Sequence, residues 1–563
     1  MKKRNMTNLR YKNTILCILV IAILTLVLYP FLNRAIHPTK YIASDHNLLS
    51  VTIPYIEENE VNEKHMTIPR GTKVQVEESD KEVSKIKYQG ELIPIDNKHL
   101  VDDLEDCVQV DYIYPRRLVN LRSKKDGVLS NTIVKKGEKV KVLHVDPSDL
   151  DVNTGIIDWY QVEKNHKKYF IRGQYVETNK KLATKNYAEN IQYSTYWDFY
   201  YGDSYSKDAY IDQVDYKPQT MHEYEDNPIK KDINSVHVNL EYLLANKDYY
   251  LNLAKETGIN SLTVELKGDG GYLFYQSEVA EKYLKKPKEA TANALLSIKE
   301  LKKLFKEFQD QGFYMIARIV TFKDAIFAKQ NPDHAITDKQ GKLVAHNDEY
   351  WPSAYSRKAW MYNVDIAKEL ADCNVNEIQF DYVRFPDGTL SKTLDKQIDL
   401  HNTYNESKTA ALQGFLMYAK EELIPYEVYV AADVFAWPVV AQDDQDIGQF
   451  LPAIANAVDV VSPMPYTDHF SKGAMGISDP ELEPEETLYQ FSDITKRALH
   501  SIEKPALYRT WIQGYGTFGP AQMEAQIHGI NKAGYEGYLV WAGNGKPEIL
   551  EPRKAGFINS ALN

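Results

Sequence analysis

Residues 377–385 read EIQFDYVRF. Isoleucine, phenylalanine, tyrosine and valine crowded into so short a run favour a β-strand. Alternate side chains of a strand share a face, so Ile378 and Phe380 point one way and Gln379 and Asp381 the other. Working outward, strand-like runs of the same kind recur: SVHVNL (235–240), SLTVELK (261–267), YMIARIV (314–320), VYVAADVF (428–435), VDVVSPMPY (458–466), ALYRTWIQ (506–513) and GYLVWAG (537–543). Helical runs such as LLSIKELKKLFKEFQDQG (295–312) and EETLYQFSDITKRALHSI (485–502) fill the gaps. Eight strand–helix units over roughly 300 residues predict an α/β fold, a (β/α)₈ TIM barrel spanning residues 230–563. A doubly wound sheet would call for a glycine-rich loop after the first strand, and NLEYLLANKDYY (239–250) is not one.

Strand parity then predicts what enters the barrel. The face opposite the helices receives Glu265 and Lys267 from the second strand, Arg318 from the third, Asp381 from the fourth and Asp433 from the fifth. His237 and Asn239 come from the first strand, and Arg509, Trp511 and Gln513 from the seventh. Barrel active sites lie at the C-terminal strand ends, where Glu265, Asp381 and Asp433 fall. For any one carboxylate, a structural ion pair with Arg318, Arg384 or Arg509 is the alternative. Three carboxylates near one mouth favour chemistry.

No metal-ligand spacing, Ser-His-Asp signature or phosphate cradle is legible, so neither metal nor cofactor is expected. Paired acids remain. Glycoside hydrolysis needs one protonated carboxyl for the leaving oxygen and one ionised carboxylate to attack the sugar or activate water. Tryptophans suit such a substrate: Trp437, Trp511 and Trp541 fall at or just past strand ends, and Trp351 lies in the loop after the third strand. With Tyr466, Asp468, Arg384 and the inward polar residues named above, they form the expected substrate-binding set.

The rest of the chain supplies an address. Basic residues 2–12 precede an uncharged apolar run, TILCILVIAILTLVLYPFL (14–32), long enough to span a bilayer. The positive flank stays cytoplasmic, so a tail (1–13) and a transmembrane anchor (14–32) would leave the remainder extracellular. The formal charge of −12 argues against a nucleic-acid partner. Three cysteines, far apart in sequence, give no disulfide framework. Residues 46–105 and 106–180 show short alternating strands and turn glycines, predicting two small all-β domains. A tyrosine-rich segment (186–229) reads as a linker packed on the barrel.

Two resemblances add to this. VNLRS, KKGEKVKVL, WYQV around Trp159 and YFIRGQYV in the second small domain resemble bacterial Src-homology-3-like wall domains, and the first looks like a weaker copy. Such a resemblance implies either peptidoglycan binding or a spacer role. QFDYVRFPDG, AADVFAWPV, VVSPMPYTDHF, RTWIQGYG and GYLVWAGNG together resemble the glycoside-hydrolase-like barrel family first catalogued as a domain of unknown function. The resemblance covers residues 233–563 and implies a sugar-cleaving barrel related to the α-amylase-like group. It carries the nucleophile onto Asp381 and the acid/base onto Asp433. An aspartate at the latter position departs from the glutamate of amylase relatives, which leaves Glu265 and Asp468 as substitutes. The expected protein is an anchored extracellular hydrolase of a wall or capsule polysaccharide; a catalytically silent glycan-binding scaffold is the alternative.

Overall fold

A computed structural model describes residues 37–57, 60–194, 207–219, 221–387 and 397–562. The chain divides into two compact units, residues 1–185 and 186–563. Among the described residues no helix is long and apolar enough to cross a membrane. The apolar run at 14–32 lies outside them.

The first unit is β-rich. Strand Thr39–Ile42 pairs antiparallel with both Lys73–Ser79 and Leu100–Val101, in a five-stranded sheet completed by Val83–Tyr88 and Glu91–Asp96. TKYI (39–42), upstream of the residue 46 at which the first small domain is expected, lies in this sheet between Lys73–Ser79 and Leu100–Val101. Ile42, Ile68, Val74, Ile86 and Ile93 make its core. A seven-stranded sheet follows, with Trp159 at its centre buried beneath the Arg172 guanidinium, 4.1 Å from the ring centroid.

In the second unit a parallel, barrel-like sheet holds the candidate site. Its order runs Leu507–Tyr508, Val460–Met464, Tyr429–Phe435, Glu377–Asp381, Tyr314–Val320, Ser261–Lys267, Asn234–Asn239, Tyr538–Trp541, Thr510–Gln513. The two outermost segments are halves of one seventh strand, broken only at Arg509. The sheet thus returns on itself to within a single residue. Parity holds at the fourth strand: Phe380 packs against Phe415 of helix Lys408–Leu423, 5.2 Å between rings. Some of the helices are capped by their own sequence. Ser297 and Glu300 form a reciprocal capping box on Ile298–Gln309, which buries Leu301, Leu304, Phe305 and Phe308 toward the sheet.

The tyrosine-rich segment belongs to this second unit as far as it is described. Tyr210 and Tyr216 are buried, and Gln413 of helix Lys408–Leu423 accepts from the Asp215 N–H at 2.9 Å.

Two expectations fail for reasons of backbone geometry. Lys267 does not enter the mouth. A register shift between Glu265 and Lys267 breaks the alternation, and its fully buried ammonium pairs with Asp324 at 2.8 Å and the Val320 carbonyl at 2.7 Å. Arg509 lies inside the sheet but at its N-terminal end, where its Nη1 donates to both oxygens of Glu377 at 2.9 Å. The Tyr314 hydroxyl adds a third bond to Glu377 at 3.1 Å. This closed plug is structural, since the N-terminal end of such a barrel serves stability. Glu377→Gln would leave the buried Arg509 without its counter-charge. It is expected to lower stability by about 3 kcal/mol, read as a fall in Tm.

Candidate active site

Asp381 ends the fourth strand. Its Oδ2 accepts hydrogen bonds from Arg318 through both Nε, at 3.1 Å, and Nη2. Its Oδ1 accepts the Tyr382 backbone N–H at 2.6 Å. Tyr382 itself adopts φ +48°, a left-handed conformation that a bulky residue holds only under strain. The residue after the strand turns back to fix the carboxylate.

Arg318 reaches a second acid. Its Nη1 bonds Glu265 Oε2, so one guanidinium bridges two carboxylates while stacking 5.3 Å from the Trp541 ring centroid. Burial pulls the guanidinium down, but Asp381, Glu265 and Asp433 more than compensate and keep it charged. Burial also pushes the Glu265 carboxyl up, but the Arg318 guanidinium opposes it and the carboxyl stays below the ordinary range. Gly268 gives Glu265 room, since a Cβ there would stand 2.9 Å from Oε1.

His237 sits beside this pair. Its Nδ1 donates to the Gly543 carbonyl at 2.8 Å, and burial lowers its basicity, so the ring is neutral and Nε2 carries a lone pair. Nε2 faces Glu265 Oε2 across 3.4 Å with no protein donor between them. Its ring stacks 4.3 Å from that of Trp541.

Asp433, in the fifth strand, has the opposite environment. It is fully buried. Oδ1 accepts the Trp511 indole N–H at 2.8 Å, while Oδ2 has no partner. Burial and the nearby Asp381 push its carboxyl well above the usual range, against the smaller pull of Trp511 and Arg318. Both causes favour its protonated form. Two carboxyls at the C-terminal ends of neighbouring strands thus differ in kind. One is salt-bridged; the other is desolvated, with its carboxyl pushed up.

The other expected residues are placed unevenly. Tyr466 is buried close enough to Asp433 and Asp381 for both to reinforce the rise that burial imposes on its phenol. Asn239 stands level with Glu265 across the first and second strands. Asp468 lies on the rim, where the Tyr515 hydroxyl occupies its Oδ1 at 2.8 Å. Trp511, expected as a stacking platform, is only 1% exposed and acts instead as the donor to Asp433. Trp351 is likewise buried. Trp437 is exposed, with Phe470 packed edge-on at 5.5 Å, and offers an aromatic face at the rim with Phe435. Arg384 lies beneath Phe435, 4.5 Å from its ring centroid.

Sequence reasoning missed Gln449. Its Oε1 accepts the Phe435 N–H at 2.9 Å, and its Nε2 donates to the carbonyls of Asp433, at 3.0 Å, and Val383, at 3.3 Å. One side chain therefore ties the exits of the fourth and fifth strands together. Its only sequence signal is an amide between Gly448 and Phe450 in a polar loop, DDQDIGQF, where no strand parity applies.

Solved structures similar to parts of the chain include a hypothetical protein from Ruminiclostridium thermocellum, 28% identical over 35% of this chain and 97% of that one, with a TM-score of 0.30. Another is the PgaB (BpsB) glycoside hydrolase domain from Bordetella bronchiseptica, 14% identical over 58% of this chain and 99% of that one, TM-score 0.42. A third is an alpha-amylase from Lactobacillus plantarum, 13% identical over 56% and 71%, TM-score 0.36. No curated protein sequence matches significantly. The family described as “Putative glycosyl hydrolase domain” matches residues 235–546, more than half of the chain and all eight strands that build the sheet. The chain belongs to this glycosyl hydrolase domain family.

Proposed function

We propose that the protein is a membrane-anchored extracellular glycoside hydrolase whose (β/α)₈ barrel cleaves a wall or capsule polysaccharide. The observation that carries this reading is the contrast between Asp433, buried with its carboxyl pushed up and with no partner for Oδ2 among the described residues, and Asp381, fixed by Arg318 and Tyr382. A protonated acid can give its proton to the leaving glycosidic oxygen. Asp381, held by Arg318, attacks the sugar or activates water. Trp511 holds the acid in place, and Gln449 fixes the strand exits that carry both groups.

Glu265 and His237 take a binding role in this account. Two acceptors facing each other suit one sugar hydroxyl as a shared donor, and the Trp541 ring beside them offers an apolar face. Outside the barrel, the apolar run at 14–32 anchors the chain, and the Src-homology-3-like domains hold it at the peptidoglycan.

A released-sugar screen of the protein against wall, capsule and storage glycans tests the proposal. New reducing ends on at least one polymer are expected. Saturable binding with no new ends after long incubation would favour the catalytically silent scaffold.

A further inference from the structure

The mouth contains a cation that its own protein leaves half used. Arg318, Arg357 and Arg509 each meet a buried carboxylate, on Asp381, Glu406 and Glu377 respectively. Arg384 does not. It is 6% exposed, yet both of its hydrogen bonds leave from Nη1, to the Phe385 carbonyl at 3.0 Å and to Asp387 Oδ1 at a marginal 3.4 Å. Asp387 itself is on the surface and is shared with His346 at 3.0 Å. Among the described residues Arg384 Nε has no partner and both hydrogen bonds leave from Nη1, so the guanidinium edge formed by Nε and Nη2 is open.

A second orphan stands beside it. The Trp351 indole Nε1 is buried and unpartnered, and the Arg384 guanidinium lies 4.9 Å from that ring. Both belong to the mouth. Arg384 is three residues past Asp381 and also stacks against Tyr382, 5.2 Å away, and against the exposed Phe435 two residues past Asp433. Buried donors without acceptors are costly, and a guanidinium edge is shaped for a planar carboxylate that accepts two parallel hydrogen bonds.

We propose that Arg384 and Trp351 form a subsite for the carboxylate of a uronic acid, so that the polymer bound in this mouth is an acidic polysaccharide. The inference rests on the sugar-binding reading of the barrel and adds the charge of the substrate. The protein's formal charge of −12 would repel such a polymer in general, which makes a dedicated buried cation more necessary. Asp387 engages Nη1 alone, so a substrate carboxylate takes the edge that Asp387 leaves open.

The test measures equilibrium binding and reducing-end release by the full-length protein on uronate-containing polysaccharides. Each is offered in native and carboxyl-reduced form, with sulfated and phosphate-bearing polymers alongside. A native uronate polymer is expected to bind about 10-fold or more tightly than its reduced counterpart. Arg384→Gln should collapse that ratio toward unity, Arg384→Lys should restore part of it, and Trp351→Phe should lower it with Tm unchanged. Equal binding of native and reduced polymers, preference only for sulfated or phosphorylated ones, or an undiminished ratio in Arg384→Gln would overturn the subsite. Uronate-selective binding without any new reducing ends would leave the subsite standing and remove the hydrolase reading. Cleavage of neutral polymers alone would do the reverse.

Discussion

Asp433→Asn is expected to lower kcat by about 10²- to 10⁴-fold, the usual worth of a positioned general acid, while leaving the fold intact. The amide oxygen can still accept the Trp511 N–H, so the position of the side chain is kept and only the transferable proton is lost. The pH dependence carries the same signature. The raised carboxyl of Asp433 is active while protonated, so the wild-type rate should fall as pH rises through that elevated pKa, and this limb should vanish in Asp433→Asn. Wild-type stability should fall in the same direction. A carboxyl whose folded pKa lies above its unfolded value, near 3.9, favours the folded state at low pH, and that contribution is lost as pH rises through the folded value. The variant, which has no charge to bury, should therefore gain Tm relative to wild type as pH increases. Thermal melts across pH, paired with rate profiles, separate these effects. A variant with full activity and an unchanged alkaline limb would remove Asp433 from the acid role.

Arg318→Gln is the second large expectation. This guanidinium touches both Asp381 and Glu265, and its loss would leave one buried and one partly buried carboxylate without a cation. Breaking a buried ion pair by removing one partner costs about 3–5 kcal/mol, so a marked fall in Tm is expected. Activity should fall as well, by about 100-fold or more, because Asp381 loses the group that fixes its Oδ2 and balances its charge. Arg318→Lys keeps the charge but cannot bridge both acids with a planar fork. It should recover more stability than rate. Recovery of rate without stability would contradict the positioning role.

What the sequence made legible follows from which physical rule applied at each residue. Alternation in EIQFDYVRF and VYVAADVF fixed the face of Asp381 and Asp433, because an apolar face against helices leaves only one direction for the polar one. Lys267 escaped the same rule, because the bulge after Glu265 leaves no trace in an alternating string of letters. Arg509 faces inward as parity requires, but parity gives the face and not the depth. Its place at the break of the seventh strand puts it level with Glu377, four residues below Asp381. The tryptophans show a related ambiguity. Composition suggests sugar platforms, but whether an indole stacks on substrate or donates to an acid depends on burial, and Trp511 is buried. Gln449 and the left-handed Tyr382 were out of reach, since loop contacts and backbone strain have no periodicity to read.

Asp381→Asn tests the central claim most directly. Reducing-end release should be measured on the best polymer from the screen, for wild type and variant at matched Tm and matched polymer binding. The account predicts no detectable release by the variant, with binding retained. Full release by a folded Asp381→Asn protein would contradict it.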